Sequence, residues 1–145
     1  MTFPLDQNSI LQFLNKLELQ PELEPASKQI FIKKEHESNE YILFFAIRGA
    51  SLQIVCYFPY AAKKEQFAEV SRLLHIFNRD IDMPGFGFDE KQGLIFYRNV
   101  IPCLDNIVDE KLILLFLSTQ KSVIETFGKA IFGVLSGQLK IDDLI

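Results

Sequence analysis

A chain of 145 residues has the length of one domain, and at that size it should bury roughly 70% of the surface its unfolded form exposes. With 48% hydrophobic residues, 14 Phe and no dividing linker, residues 1–145 read as a single domain, which excludes disorder and low complexity. Nineteen acids against 15 bases give a formal charge of -4, and the scattered cations argue against nucleic acid or an anionic membrane as partner.

The N-terminus carries Asp6 and no cation before Lys16, whereas a secretory signal begins basic and continues apolar, so a cytoplasmic protein is expected. No apolar run approaches the roughly 20 residues needed to span a bilayer. Asn8 or Ser9 can cap a first helix reaching about Leu17, with Ile10, Leu11, Phe13 and Leu14 at helical spacing. Pro21 and Pro25 end it. "QIFIKKE" then alternates as a first strand, placed at an edge by Lys33 and Lys34.

"YILFFAIR", "GA" and "SLQIVCYF" have the form of a hairpin with Gly49 leading a two-residue type II′ loop. Setting Arg48 opposite Ser51 pairs Ile47 with Leu52, Phe45 with Ile54, Leu43 with Cys56 and Tyr41 with Phe58 on one wholly apolar face, the expected core. The other face pairs Ala46 with Gln53, Phe44 with Val55 and Ile42 with Tyr57. Its cluster of Ile42, Phe44, Val55 and Tyr57 has two readings: an exposed interaction patch, or a surface covered by the N-terminal helix or the tail.

A helix from Lys63 to about Arg79 carries Phe67, Val70, Leu74 and Phe77 on one stripe, which Leu73 and Ile76 widen beyond what one sheet requires. From Phe86 to Ile101 the glycines of "GFGF" lead into a hairpin turning at Asp89–Gly93. A last helix runs from about Asp109 towards Gly137; its apolar circumference at Leu112 to Leu117 predicts burial, and "KIDDLI" adds a short turn. The expected fold is α+β, in the order α-β-β-β-α-β-β-α, with a five-stranded antiparallel sheet and helices mainly on one face.

Catalytic and metal chemistry find little footing. His36 and His75 have no His or Cys at ligand spacing, and His75 opposes its helix's apolar stripe. Cys56 and Cys103 lie in strand-like apolar contexts and read as buried reduced thiols; no His follows Cys103. "DIDMPGFGFDEK" begins like a calcium loop, but Pro84 and Lys91 occupy ligand positions. Gly85 and Gly87 follow a helix and precede a strand, the reverse of a dinucleotide fingerprint. An enzyme would have to use Cys103 or the acids between Asp80 and Glu90 in a polar pocket; no cofactor, no metal and no catalytic residue are expected.

The run "GFGFDEKQGLIFYRNVIPCLDNIVDEKL", the apolar helix after it and "VLSGQLKIDDLI" resemble the YbjN family in their order of short strand, acid-glycine turn, strand, proline step and final helix. The element order of the whole chain also resembles the type III secretion chaperone fold. The resemblance implies a bacterial, cytoplasmic, non-enzymatic homodimer that binds an extended segment of a partner, such as a secreted effector, through apolar patches. Ile42, Phe44, Val55 and Tyr57 are the partner-binding candidates, and the helix between the third and fourth strands would dimerise through Leu73 and Ile76. The alternative implied by the YbjN family is a regulatory adaptor in signalling or expression control.

Overall fold

Alternation of apolar and polar residues along the strands builds one main sheet, which a computed structural model describes together with the rest of residues 1–144. The elements are β1 (Thr2–Pro4), α1 (Gln7–Lys16), β2 (Glu22–Leu23), β3 (Ile30–His36), β4 (Asn39–Arg48), β5 (Ser51–Ala61), α2 (Phe67–Asp80), β6 (Phe86–Asp89), β7 (Leu94–Pro102), β8 (Ile107–Asp109) and α3 (Glu110–Leu135). The main sheet is antiparallel throughout, in the order β2-β3-β4-β5-β7-β6. It has six strands where five are expected. The addition is β2, two residues between Pro21 and Pro25 that pair with Phe31 and Ile30 and half-cover the edge formed by β3.

A second departure joins the chain's two distant ends of local order. β1 pairs with β8 as a separate two-stranded ladder, in which Phe3 stands opposite the buried Val108. Neither segment is long enough to announce itself by periodicity. Stripped of β1, β2 and β8, the order is the expected α-β-β-β-α-β-β-α.

The β4–β5 hairpin takes the register read from the sequence, with Arg48 opposite Ser51, Phe45 opposite Ile54 and Leu43 opposite Cys56, and Gly49 at φ +57° in the loop. Leu43, Phe45, Leu52, Ile54, Cys56 and Phe58 are buried, and Tyr41 meets Phe58 edge-on at 5.3 Å between centroids. Ile47 departs from expectation: near the hairpin's tip it is 39% exposed. Burying each of these large apolar side chains favours folding by about 1.5–3 kcal/mol, so the face facing the helices dominates stability.

Asp6, rather than Asn8 or Ser9, caps α1: its carboxylate accepts from the Ser9 amide at 2.7 Å. α2 starts at Phe67, after a single 3-10 turn over Lys64–Gln66, instead of at Lys63. Its stripe is spent on the chain's own core. Leu73 is 1% exposed and Ile76 packs partly against the same cluster, so Leu73 presents nothing to a second copy. The breadth of the stripe is explained by α2 lying in a corner, against β6 on one side and Phe127 of α3 on the other.

α3 begins at its Asp109 cap and gives way at Gly137, whose φ of +80° suits glycine. Ile113, Gln120, Val123, Ile124, Ile131 and Val134 form its inward side. Continuous burial from Leu112 to Leu117 does not hold: Leu112, Leu114 and Leu115 are exposed, Leu115 by 54%. The helix lies against β5, β7 and β8, and these leucines face away from the core among the described residues. The tail forms a 3-10 turn over Ile141–Leu144 that buries Ile141; Ile145 lies outside the described residues.

Candidate partner-binding face

The buried side chains of β3, β4, β5 and β7 all point to the side where the helices pack, which leaves the intervening residues on an outer face. Ile42, Phe44, Val55 and Tyr57 stand there, each partly exposed, as cross-strand pairs Ile42–Tyr57 and Phe44–Val55. The structure leaves this cluster partly exposed rather than covered. A shallow groove of about 410 Å³ runs over these four residues, and strand and loop residues line it; among the described residues neither α1 nor the tail contributes to the lining.

Two further rings extend the cluster beyond what the hairpin alone revealed. Phe31 pairs with Phe44, and Phe96 pairs with Tyr57. Ring centroids step across the sheet from Phe31 to Phe44 at 5.7 Å, Phe44 to Tyr57 at 5.9 Å and Tyr57 to Phe96 at 5.9 Å. These separations lie in the favourable aromatic range, and each pair adds about 0.5–1.5 kcal/mol beyond area burial. The signal was present as alternation: Phe31 lies between buried Ile30 and Ile32, and Phe96 between buried Ile95 and Tyr97. What was missing was the β5–β7 register, which a long-range pairing sets.

Gly87 completes the row. It pairs with Phe96, and a side chain at Gly87 would collide with that ring. Arg98 stands opposite Val55, and Arg48 and Gln53 edge the groove, so the apolar centre has cationic and amide groups beside it. Such a surface can take apolar side chains on the rings while its polar border satisfies main-chain groups.

The candidates for covalent chemistry lie elsewhere. Cys56 and Cys103 are free and buried, and desolvation raises both thiol pKa values, holding them protonated and non-nucleophilic. Cys103 Sγ donates to the Ile101 carbonyl at 3.4 Å. Asp80 is engaged by the Arg79 guanidinium at 2.9 and 3.1 Å, which lowers its carboxyl pKa, and Asp89 accepts from the Lys91 amide within its turn. His75 is exposed on α2. Among the described residues no group of three His, Cys, Asp or Glu is arranged to hold a metal, and no helix is long and apolar enough to cross a membrane.

One polar arrangement escaped the sequence reading. Gln120 of α3 is fully buried, and its amide donates to Asn99 Oδ1 at 2.7 Å and to the Ile54 carbonyl at 3.1 Å. Asn99 Nδ2 donates in turn to the Tyr97 hydroxyl at 3.3 Å, and that hydroxyl donates to the Met83 carbonyl at 2.6 Å. The chain of bonds fastens α3 and the loop before β6 to β7, which fixes the sheet whose other side carries the rings. Nothing in a lone Gln on a helix marks such a role.

The order of strands, the acid-glycine turn at Asp89–Gly93 and the final helix are all in place, and the profile of the YbjN family, described as "Putative bacterial sensory transduction regulator", matches residues 6–133. The chain belongs to the YbjN family. A comparison with curated proteins finds no match. The matched span includes every strand of the main sheet and most of α3, so the aromatic row is a feature of this YbjN domain rather than of an appendage.

Proposed function

We propose that this YbjN protein is a non-enzymatic regulatory adaptor that holds an extended segment of a partner protein on the outer face of its sheet. The observation that carries the reading is the uncovered row of Phe31, Phe44, Tyr57 and Phe96, with Ile42 and Val55 filling the space between the rings. An apolar surface left open beside arginine and glutamine side chains suits a protein segment better than a compact reactant, because the groove is shallow and brings no activated nucleophile or base together. The family's description as a sensory transduction regulator supports an adaptor whose output is a partner's activity. Holding the segment extended, in the manner of a chaperone, is the binding mode this surface favours.

Affinity purification of the tagged chain from its native cell tests the reading. Phe44→Asp and Val55→Asp should keep the circular-dichroism melting curve and lose the partner that the wild type recovers. Recovery of the same partner by both folded variants would overturn the assignment.

A further inference from the structure

Where β3 turns into β4, the sheet and the C-terminal half of α3 enclose a second cavity, of about 420 Å³, within the roughly 300–1,000 Å³ of small-molecule sites. Tyr60 and Phe132 line it with ring centroids 5.0 Å apart. Glu37 and Lys129, both solvent-exposed, line it as well, beside the half-buried His36, and neither of the two makes an ion pair among the described residues. Opposite charges are therefore both available at one aromatic wall.

The cavity is set up before any ligand arrives. The Tyr60 hydroxyl is bonded at 3.2 Å to that of Tyr41, which is buried and whose hydroxyl occupies the space a side chain at Gly128 would need. Glu37 and Ser38 both hold left-handed conformations, φ +49° and +68°, in a two-residue turn where Asn-Gly is the favoured sequence. The strained turn puts a carboxylate at the cavity in place of the unreactive residues that would fold more easily there. Phe132 meanwhile keeps 44% of its surface exposed on the side of α3 that faces this space.

We propose that this cavity binds a small zwitterion bearing an aromatic ring, of the free aromatic amino-acid class. The ring packs on Tyr60 and Phe132, the carboxylate meets Lys129, and the ammonium meets Glu37. An aromatic anion would bring a like charge to Glu37, and an aromatic cation would bring one to Lys129. This site lies apart from the outer face, and it would let a small metabolite bias a protein that acts by holding a partner.

Isothermal titration calorimetry of the full chain should show L-tryptophan or L-phenylalanine binding at least about tenfold more tightly than 3-phenylpropionate or phenethylamine, which each lack one charge. Lys129→Glu and Glu37→Gln, checked for an unchanged melting curve, should each weaken the amino acid by a similar factor. Absence of binding by both amino acids at millimolar concentration would overturn the proposal, as would equal affinity for the singly charged analogues or undiminished binding in both variants. N-acetyl-tryptophan amide should bind at least tenfold more weakly than the free amino acid; equal binding would mean that the cavity reads aromatic side chains of peptides and that the zwitterion assignment is wrong.

Discussion

Phe96 of β7 and Gly87 of β6 are cross-strand partners, and the phenyl ring occupies the space that any side chain at position 87 would require. The pair joins the fold to the candidate site. By leaving room on the edge strand, Gly87 lets Phe96 lie where it meets Tyr57 and ends the row of rings.

Gly87→Val should therefore act at two places at once. The displaced ring leaves its rotamer, and overpacking of this kind costs about 1–3 kcal/mol. Urea denaturation should show the loss, and the double variant Gly87→Val, Phe96→Ala should recover part of it because the clash is gone. Equal stability of Gly87→Val and wild type would show that the ring moves aside freely.

The Gln120–Asn99 bond gives a different signature. Gln120→Leu removes a donor from a buried carboxamide, and an acceptor left unpaired in the interior costs about 1–3 kcal/mol. Replacing both residues with leucine should cost less than the sum of the single changes, since no orphaned group remains at their contact. A double-mutant cycle on the unfolding free energies reads the coupling directly. Additive effects would mean that the buried network acts through packing alone.

The α1 cap supplies a pH dependence. The backbone amide of Ser9, and then its side chain, holds the Asp6 carboxyl below its ordinary pKa of 3.8, because the ionised form accepts the bonds. A group depressed in the folded state stabilises above its unfolded pKa and loses that contribution as pH falls through the folded value. Asp6→Ala should lower the melting temperature at neutral pH and converge with wild type towards pH 2. A difference that stays constant across that range would assign the effect to something other than the carboxylate.

How much of this was legible varies with the range of the interaction involved. Hairpins are local, so the β4–β5 register followed from two-residue spacing and Gly49, and with it the placement of Ile42, Phe44, Val55 and Tyr57 on one face. Exposure of that face was not legible, since α1 or the tail could have crossed either side of the sheet with the same sequence pattern. α2 shows the converse: six apolar positions on a wide stripe suggested a surface to spare, whereas Leu73 is spent on the chain's own core and Ile76 is half-buried against it. The leucines at 112, 114 and 115 erred in the other direction, because hydrophobicity around a helix states what could be buried and not whether a neighbour is there to bury it.

The sequence by itself determined the order of the three long helices and the five longer strands, the inner and outer faces of the central hairpin and the buried setting of the thiols, because each depends on periodicity, turn chemistry or burial that nearby residues specify. Only the tertiary structure decided that Phe31 and Phe96 join Phe44 and Tyr57 in one row, that β1 closes on β8, and that Glu37 and Lys129 border the same cavity. Those juxtapositions bring together residues 13 to more than 100 positions apart. Contacts at such separations are selected by how whole elements pack, and no local pattern carries that information.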